Sequence, residues 1–280
     1  MVPAMVETTR PRVCAVIVTH NRLRTLKLSL NAVVNQTTPP ARILVVDNAS
    51  TDGTRAYLER LQDSKVEARL LPENDGPAGG FAVGFEHAAR GPYSHVWAMD
   101  DDVVPAPDCL EHLLAGIGDG DVGIPDARSG RGERLVNLAW AGVLVPTKIV
   151  HAVGVPDRAY FWWKEDSEYL GERIRDRGGR RLVRVGDAEV LHLSVRTWRR
   201  SAWQYYYKAR NELHFAWRVQ RRSGVRSVLR LGRLFARILV VENDKVAKSR
   251  SVVRGVRHAL QGRTGKIEAP EASAPARRGP

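Results

Sequence analysis

Cysteine is scarce in this sequence, which has only Cys14 and Cys109 among its 280 residues. The two lie far apart and belong to neither a CxxC pair nor a Cys/His cluster. This spacing argues against a disulfide framework and against a structural zinc site. It is typical of a protein that works in a reducing cytosol.

Long apolar runs are also missing. No stretch reaches the roughly 18 uninterrupted apolar residues of a membrane-spanning helix. The opening residues, MVPAMVETTRPR, lack the apolar core of about 7–15 residues that marks a secretory signal peptide. We therefore predict a cytoplasmic protein without a signal peptide or a transmembrane helix.

The usual glycine motifs for nucleotide phosphates are absent. The glycine-rich stretch ENDGPAGGF, at 73–81, matches neither GxGxxG nor the Walker pattern. A dinucleotide-binding domain and a phosphate-loop NTPase are therefore not supported. Gly79 and Gly80 would still let a ligand approach the backbone closely.

Acidic residues are rare in the last third of the chain. Residues 196–280 contain 21 Lys and Arg but only 5 Asp and Glu, whereas residues 1–195 contain 23 and 26. The formal net charge of +13 therefore comes from the C-terminal region. Such a region suits nucleic acid, anionic lipid or a phosphorylated substrate. The alternative is a basic tail that only keeps the protein soluble.

What the sequence does contain is an alternation of β-branched apolar runs and helical patterns. Strands are predicted at 13–20, 41–50, 66–73, 94–99, 135–147, 180–185 and 189–194. Helices are predicted at 21–36, from about 52, and at 74–90, 148–153, 167–178 and 201–241. The alternation predicts an α/β fold with a parallel sheet. Residues 265–280 have the composition of a disordered tail.

Three consecutive acids, Asp100, Asp101 and Asp102, follow the predicted strand SHVWAM. Carboxylates at a strand end suit a hard divalent cation that is bound together with substrate phosphates, and the cation would remove their mutual repulsion. Thr19 and Asp47 also fall at predicted strand ends, where open α/β sheets bind ligands. The alternative is a solvated acidic turn that caps the next helix.

The segment FWWKEDSEY, at 161–169, combines tandem tryptophans with adjacent carboxylates. Aromatic faces stack on sugars, and a buried carboxylate with a raised pKa can act as a general base. A helix N-terminus would explain the acids, but not Trp162 and Trp163. Further on, His192 ends the strand EVLHL, and its alternative role is that of a core histidine.

Seven motifs in this order resemble an inverting family 2 glycosyltransferase with the GT-A fold: VIVTHNR, VVDNASTDGT, ENDGPAGGF, WAMDDDV, WWKEDSEY, EVLH and YYYKARN. The resemblance spans roughly residues 12–265 and is strongest to the galactofuranosyl- and rhamnosyltransferase branch. It implies a Rossmann-like, mostly parallel sheet flanked by helices, with a basic helical region at the C-terminal end.

The resemblance also implies a role for each matching residue. The donor-binding residues would be Thr19, Asp47, Asn74, Asp100 and Asp101. The metal, Mn²⁺ or Mg²⁺, would be held by Asp100, Asp102 and His192. The catalytic base would be Asp166, with Glu165 and Glu168 as neighbouring acids. The acceptor-binding residues would be Trp162, Trp163, Tyr206, Arg210 and Asn211.

The expected organisation has four parts. Residues 1–120 would bind the nucleotide sugar, and residues 121–200 would complete the same GT-A domain with the acceptor site. Residues 201–264 would form the basic amphipathic helical region, and residues 265–280 the disordered tail. Both a membrane-surface helix and a helical subdomain packed on the core are compatible with 201–264.

The expected reaction is metal-dependent, inverting transfer of a sugar from a nucleotide diphosphate to a hydroxyl of a lipid-linked glycan. Galactofuranose is the favoured sugar, with rhamnose from TDP-rhamnose or a natural-product glycosylation as alternatives. A basic nucleic-acid-binding protein is the non-enzymatic alternative, but it leaves the strand-end acids unexplained, so no nucleic-acid partner is predicted. The basic region predicts peripheral contact with the inner face of the plasma membrane.

Overall fold

The computed structural model describes residues 11–193, 200–221 and 225–267. Three predictions fall partly outside the described residues. They concern the N-terminus predicted to lack a signal peptide (residues 1–10), the last residue of the strand predicted at 189–194, and residues 268–280 of the predicted tail.

The predicted strands and helices of the first half are present. The strands are β1 Val13–Thr19, β2 Arg42–Asp47, β3 Val66–Leu70, β4 His95–Asp100, β5 Val103–Pro105, β6 Val122–Ser129, β7 Ala141–Pro146 and β8 Leu182–His192. The helices between them are α1 Leu23–Val34, α2 Thr54–Arg60, α3 Gly76–Arg90, α4 Cys109–Gly116 and α5 Thr147–Val153. A short 3₁₀ helix, Arg158–Tyr160, and a π-helix, Ser167–Arg177, lie between β7 and β8.

All eight strands form one sheet in the order β3-β2-β1-β4-β7-β6-β8-β5. Pairs β1/β2, β2/β3, β1/β4 and β6/β8 are parallel, whereas β7 runs antiparallel to β4 and β6, and β5 antiparallel to β8. Buried apolar side chains cover both faces of the sheet. The predicted α/β class with a mostly parallel sheet flanked by helices is confirmed.

Two strand predictions were wrong in extent. Residues 135–140 of the strand predicted at 135–147 form a loop that still packs apolar side chains against the core, which is why they resemble a strand in sequence. The strands predicted at 180–185 and 189–194 are one strand, β8. Its register against β6 shifts between Val185 and Glu189, so residues 186–188 form a bulge, not a turn.

Helix α3 lies unusually close to β1. A side chain added at Gly80 would collide with Val18, and one added at Gly84 would collide with Val16. Of the two glycines expected to admit a ligand, Gly80 therefore admits the neighbouring strand β1 instead, whereas a side chain added at Gly79 would collide with Asp75, just before α3. This close approach holds the start of α3 beside the carboxyl end of β1.

The C-terminal region is helical, as predicted, and packs on the rest of the chain. It consists of α6 Ala202–His214, a π-helical turn Phe215–Val219, α7 Val225–Val241 and α8 Lys245–Leu260. Helix α6 begins with a capping box between Ser201 and Gln204. Tyr205, Ala209, Ile238 and Val252 form a small core between these three helices.

The start of the predicted disordered tail, Gly265–Ile267, is ordered. The backbone N–H of Ile267 donates to the Tyr207 hydroxyl at 3.0 Å, and Lys266 pairs with Glu73. The composition of the segment did not predict these contacts, because their partners are distant in sequence. Within the described residues, no helix is both long enough and apolar enough to cross a bilayer.

Candidate active site

The carboxyl ends of three parallel strands bring the predicted donor residues to one edge of the sheet. Thr19 pairs with Asp47 in the register of β1 and β2, and Val18 pairs with Asp100 in the register of β1 and β4. The polar ends of these strands are therefore side by side. This is the edge at which open α/β sheets bind ligands.

Asp100, Asp102 and His192 form a cluster whose ligand atoms all lie within 4.8 Å of one another. His192 is brought there by the antiparallel pairing of β8 with β5, which places it opposite Val103. The Oδ1 atom of Asp102 is buried without a hydrogen-bond partner among the described residues, 3.7 Å from His192 Nε2. Burial and the neighbouring acids raise the pKa of Asp100. Two carboxylates and an imidazole with an unsatisfied oxygen fit a divalent cation.

Asp101 is bound to the loop that follows β1. Thr19 Oγ1 donates to Asp101 Oδ2 at 2.6 Å, and the His20 backbone N–H also donates to this carboxylate. Burial raises the pKa of Asp101 to about 7, while Arg22 and Thr19 oppose that rise. Asp101 and Thr19 thus connect the ends of β4 and β1, and their predicted contact with the donor stays a prediction.

Arg22 supplies the positive charge of this edge and has no counterpart among the predicted site residues. Its guanidinium lies 2.5 Å from Asp102 Oδ2 and 3.5 Å from Asp101 Oδ1. The side chain remains 53% exposed, so it can move without disturbing the core. The signal for it was its position directly after a predicted strand end, in the motif THNR.

The other two predicted donor residues, Asp47 and Asn74, belong to a hydrogen-bonded rim. The carboxylate of Asp47 is buried and accepts the Ser50 backbone N–H at 3.1 Å. Asn74 Oδ1 accepts the Gly76 N–H at 2.8 Å. Asn48, which sequence reasoning missed, donates to the Gly76 carbonyl at 3.1 Å and so joins β2 to the start of α3.

The loop that carries the tryptophans has a strained backbone. Phe161, Trp163 and Lys164 adopt positive φ angles of 59°, 75° and 79°, which residues other than glycine rarely adopt. Such strain persists only where the surroundings enforce it, and it concentrates at ligand sites. The loop leads directly into Glu165 and Asp166.

Asn211 on α6 holds this strained loop. Its side-chain amide donates to the backbone carbonyls of Tyr160, Trp162 and Trp163 at 2.8, 2.8 and 2.9 Å. The side chain is 1% exposed. Asn211 was predicted to bind the acceptor, but the structure places it behind the loop, so that contact stays a prediction.

Arg210 and Tyr206 are likewise buried. Arg210 donates to the carbonyls of Tyr160 and Gly265 at 2.9 and 2.5 Å, and burial lowers its pKa. The hydroxyl of Tyr206 is 2.8 Å from Nδ1 of His258 on α8. The predicted acceptor contacts of both residues are untested, and the structure shows them supporting the loop from the C-terminal helices.

The three acids of the EDSE segment have different environments. Glu168 is paired with Arg173 at 2.7 Å. Asp166 accepts the N–H and hydroxyl of Ser167 at 2.5 and 3.0 Å, and burial raises its pKa. Glu165 Oε2 is buried without a hydrogen-bond partner in the described part of the chain.

Glu165 lies close enough to the Asp100–Asp102–His192 cluster for its charge to raise the pKa of Asp100. Burial, reinforced by Asp166, raises the pKa of Glu165 itself to about 8. Glu165 and Asp166 therefore form an acidic pair beside the strand-end cluster. A raised pKa near neutrality is what a general base requires.

The tryptophans present an aromatic surface next to this pair. Trp163 is 37% exposed and packs against Trp162 at 5.6 Å between ring centroids. Lys208 lies over the Trp163 ring at 3.7 Å, and Trp203 packs edge-on against Trp162. The arrangement offers a partly exposed aromatic face for a sugar ring.

Comparison with known proteins identifies similar glycosyltransferases. Residues 14–145 match Glycosyl transferase family 2. Over 211 residues the chain is 31% identical to galactofuranosyltransferase GlfT1 of Mycolicibacterium smegmatis, an alignment that covers 62% of this chain and 66% of that protein. Over 144 residues it is 31% identical to the undecaprenyl-phosphate mannosyltransferase of Micrococcus luteus, covering 48% and 58%. The chain therefore spans somewhat less than two thirds of these relatives.

Among solved structures, the chain is similar to GalNAc-T7, whose crystal structure contains UDP, GalNAc and Mn²⁺. The TM-score is 0.55 at 16% sequence identity, and the match covers 66% of this chain and 43% of GalNAc-T7. At that identity the likeness concerns the fold.

Proposed function

Because the chain belongs to glycosyl transferase family 2, we propose that it is a metal-dependent glycosyltransferase that inverts the anomeric centre of a nucleotide-sugar donor. The proposal is carried by one observation. The raised-pKa pair Glu165–Asp166 lies beside the Asp100–Asp102–His192 cluster, close enough for the charge of Glu165 to raise the pKa of Asp100.

In the proposed reaction, the donor lies across the ends of β1, β2 and β4. Asp100, Asp102 and His192 would hold a divalent cation, which would neutralise charge on the departing diphosphate. Asp166 takes the proton of the acceptor hydroxyl, and that oxygen attacks the anomeric carbon opposite the leaving group. One displacement inverts the centre, so no protein nucleophile is required.

The aromatic face positions the acceptor in this scheme. Trp162 and Trp163 would stack on a sugar of the acceptor, and Arg210 and Asn211 keep the loop that carries them in place. The strained backbone then fixes the direction in which Asp166 faces the acceptor. Positioning of this kind accounts for a large part of enzymatic rate enhancement.

Galactofuranose is the favoured donor sugar. The relative from Mycolicibacterium smegmatis is a galactofuranosyltransferase, and the acidic triplet fits that branch. The relative from Micrococcus luteus acts, by its name, on undecaprenyl phosphate, which supports a lipid-linked acceptor. Such an acceptor places the enzyme at the inner face of the plasma membrane, in peripheral contact through residues 201–264.

A donor screen tests this assignment. The full chain is incubated with Mn²⁺ and either UDP-galactofuranose or TDP-rhamnose, and release of the nucleotide diphosphate by hydrolysis of the donor is measured, with water taking the place of the acceptor hydroxyl. We expect release from UDP-galactofuranose to exceed that from TDP-rhamnose at least tenfold, with loss of both on chelation of the metal. A preference for TDP-rhamnose would reassign the sugar, and no release from either would contradict the donor class.

A further inference from the structure

Helix α7 presents an apolar face to solvent. Residues spaced three or four positions apart form this outer face, which we define as Val225, Leu229, Gly232, Ala236 and Val240. Val225, Leu229 and Val240 are 65%, 58% and 80% exposed. The opposite side of the helix, with Ser227 and Ile238, is the side that packs on the protein. The exposed face is therefore not the face that stabilises the fold.

An arginine stripe lies one residue further along the same helix. It consists of Arg226, Arg230, Arg233 and Arg237, at the same spacing as the outer face. Residues 225–241 contain no Asp or Glu. Arg230 and Arg237 are paired with Glu212 and Glu242, yet their side chains remain 56% and 42% exposed. The outer face thus has cationic side chains along one edge.

Helix α8 continues this surface. A groove of about 660 Å³ separates its exposed side from Leu239 of α7. Its lining includes the apolar residues Val246 and Val253, which are 64% and 59% exposed. Its lining also includes the basic residues Lys245, Arg250, Arg254 and Arg257. Apolar and cationic groups therefore alternate around one open groove.

We propose that the outer face of α7 and the α7–α8 groove lie in the interface of an anionic lipid bilayer. The inference deepens the peripheral contact proposed above and rests on it. Apolar side chains would enter the boundary between headgroups and acyl chains, and the arginine stripe would contact lipid phosphates. This combination of an apolar face with a cationic border is what holds interfacial helices on membranes.

The charge distribution favours a bilayer over other occupants. A second copy of the chain would bring a second arginine stripe against the first, and like charges repel. Nucleic acid would engage the arginines but would leave Leu229 and Val240 in water. An anionic bilayer satisfies both the apolar and the charged part of the surface.

The surface is one helix away from the strained loop. His258 lines the groove and is hydrogen-bonded to Tyr206 of α6. The same helix carries Asn211, which holds the loop with the tryptophans. A bilayer on this surface would therefore lie on the side of the molecule that supports the acceptor loop.

Vesicle co-sedimentation of the full chain tests the proposal. Two vesicle types are used, phosphatidylcholine alone and phosphatidylcholine with phosphatidylglycerol. We expect binding to the anionic vesicles only. The Arg226→Gln/Arg233→Gln variant should bind roughly 30-fold more weakly, since each arginine near an anionic surface contributes about 1 kcal/mol and 1.4 kcal/mol is tenfold.

The apolar part is tested with Leu229→Ser/Val240→Ser, which should weaken binding at least tenfold. Matched controls change similar residues elsewhere on the surface: Leu28→Ser/Val136→Ser, which are 50% and 75% exposed, and Arg60→Gln/Arg90→Gln. The controls should bind like wild type. Circular dichroism and melting temperature verify that each variant is folded.

Three outcomes would overturn the proposal. The first is that wild type, the arginine variant and the apolar variant bind the anionic vesicles equally, and the second is that the control substitutions weaken binding as strongly as the test substitutions. The third is that wild type is a dimer in light scattering and that Leu229→Ser/Val240→Ser dissociates it. Vesicle binding does not depend on catalysis, and nucleotide release from UDP-galactofuranose does not need vesicles. Failure of this surface and failure of the proposed transferase activity are therefore distinguishable.

Discussion

At the scale of single residues, the acidic triplet has two roles. Asp100 and Asp102 join His192 in a cluster that fits a cation, whereas Asp101 is hydrogen-bonded to Thr19. Arg22 contacts both Asp101 and Asp102. The division follows from strand geometry, because successive side chains at a strand end point in different directions. The cation-binding cluster and the link to β1 therefore use adjacent residues.

The assigned base predicts a specific kinetic defect. Asp166→Asn should lower the turnover number roughly 10²–10⁴-fold, the range that general base catalysis contributes, and should leave nucleotide binding unchanged. Glu168→Gln is the control, because Glu168 is paired with Arg173, and it should keep turnover within several fold of wild type. If Asp166→Asn were near normal while Glu165→Gln was inactive, the base would be Glu165.

The buried Glu165 predicts a pH dependence of stability. Its pKa is raised from about 4.5 to about 8, mainly by burial. A carboxyl with a higher pKa in the folded chain stabilises the fold fully below about pH 4.5, and this contribution is lost as the pH rises through about 8. Without added metal, the melting temperature should therefore fall from about pH 5 to about pH 8.

The matching variant isolates this contribution. Glu165→Gln should reduce that fall in melting temperature, while the exposed Glu59→Gln should retain the wild-type profile. An identical pH profile for wild type and Glu165→Gln would refute the raised pKa. The remaining slope is expected from Asp100 and Asp101, whose pKa values are also raised by burial.

Some residues of the candidate site could be predicted from the sequence, and others could not. Asp102 and His192 were found because the resemblance places them, and the structure brings them together. Arg22 and Asn48 were missed because their importance comes from partners far along the chain, Asp102 and Gly76. Their positions just after strand ends are a local signal, but that signal alone does not distinguish them from ordinary polar side chains.

At the scale of elements, α6 supports the loop that precedes the base. The three carbonyl groups bound by Asn211 belong to a segment with three positive φ angles. Without the amide, the Trp162 and Trp163 carbonyls would lose this partner, at about 1–3 kcal/mol for each group left unsatisfied, whereas the Tyr160 carbonyl would keep Arg210. The loop would then adopt other conformations.

This role predicts a separation of binding from turnover. Asn211→Leu should lower kcat/KM for the acceptor at least tenfold and leave the metal-dependent affinity for UDP unchanged. The control is Asn35→Leu, at the exposed end of α1, which should leave both unchanged. Equal losses of UDP affinity and acceptor turnover would instead indicate a general folding defect.

Element boundaries were predictable where periodicity and pairing agree. Strands β1, β2 and β4 are buried, β-branched and flanked by polar ends, so sequence and structure coincide. The loop before β7 and the bulge in β8 were mispredicted because apolar side chains can enter a core without strand pairing, and because a bulge contains the same residue types as a turn.

At the scale of the whole molecule, the GT-A fold implied by the resemblance is confirmed. Its charge is unevenly distributed along the chain, since the excess of basic residues lies in residues 196–280. Sequence left open whether these helices pack on the core or lie on a membrane. In the structure α6 packs against the tryptophan loop and α8 packs on α6, while the outer face of α7 remains exposed. The division of the chain into four parts stays a prediction.

The proposed function depends most on the Asp100–Asp102–His192 cluster at the ends of β4 and β8. The most direct measurement is the shift in melting temperature on addition of UDP, with and without Mn²⁺, for wild type and Asp102→Asn. A ligand present at about 100 times its Kd stabilises the folded protein by about 2.7 kcal/mol. We predict that UDP raises the wild-type melting temperature mainly when Mn²⁺ is present, and that Asp102→Asn abolishes this metal-dependent part. An equal UDP shift with and without Mn²⁺ in wild type, or a full metal-dependent shift in Asp102→Asn, would contradict the account.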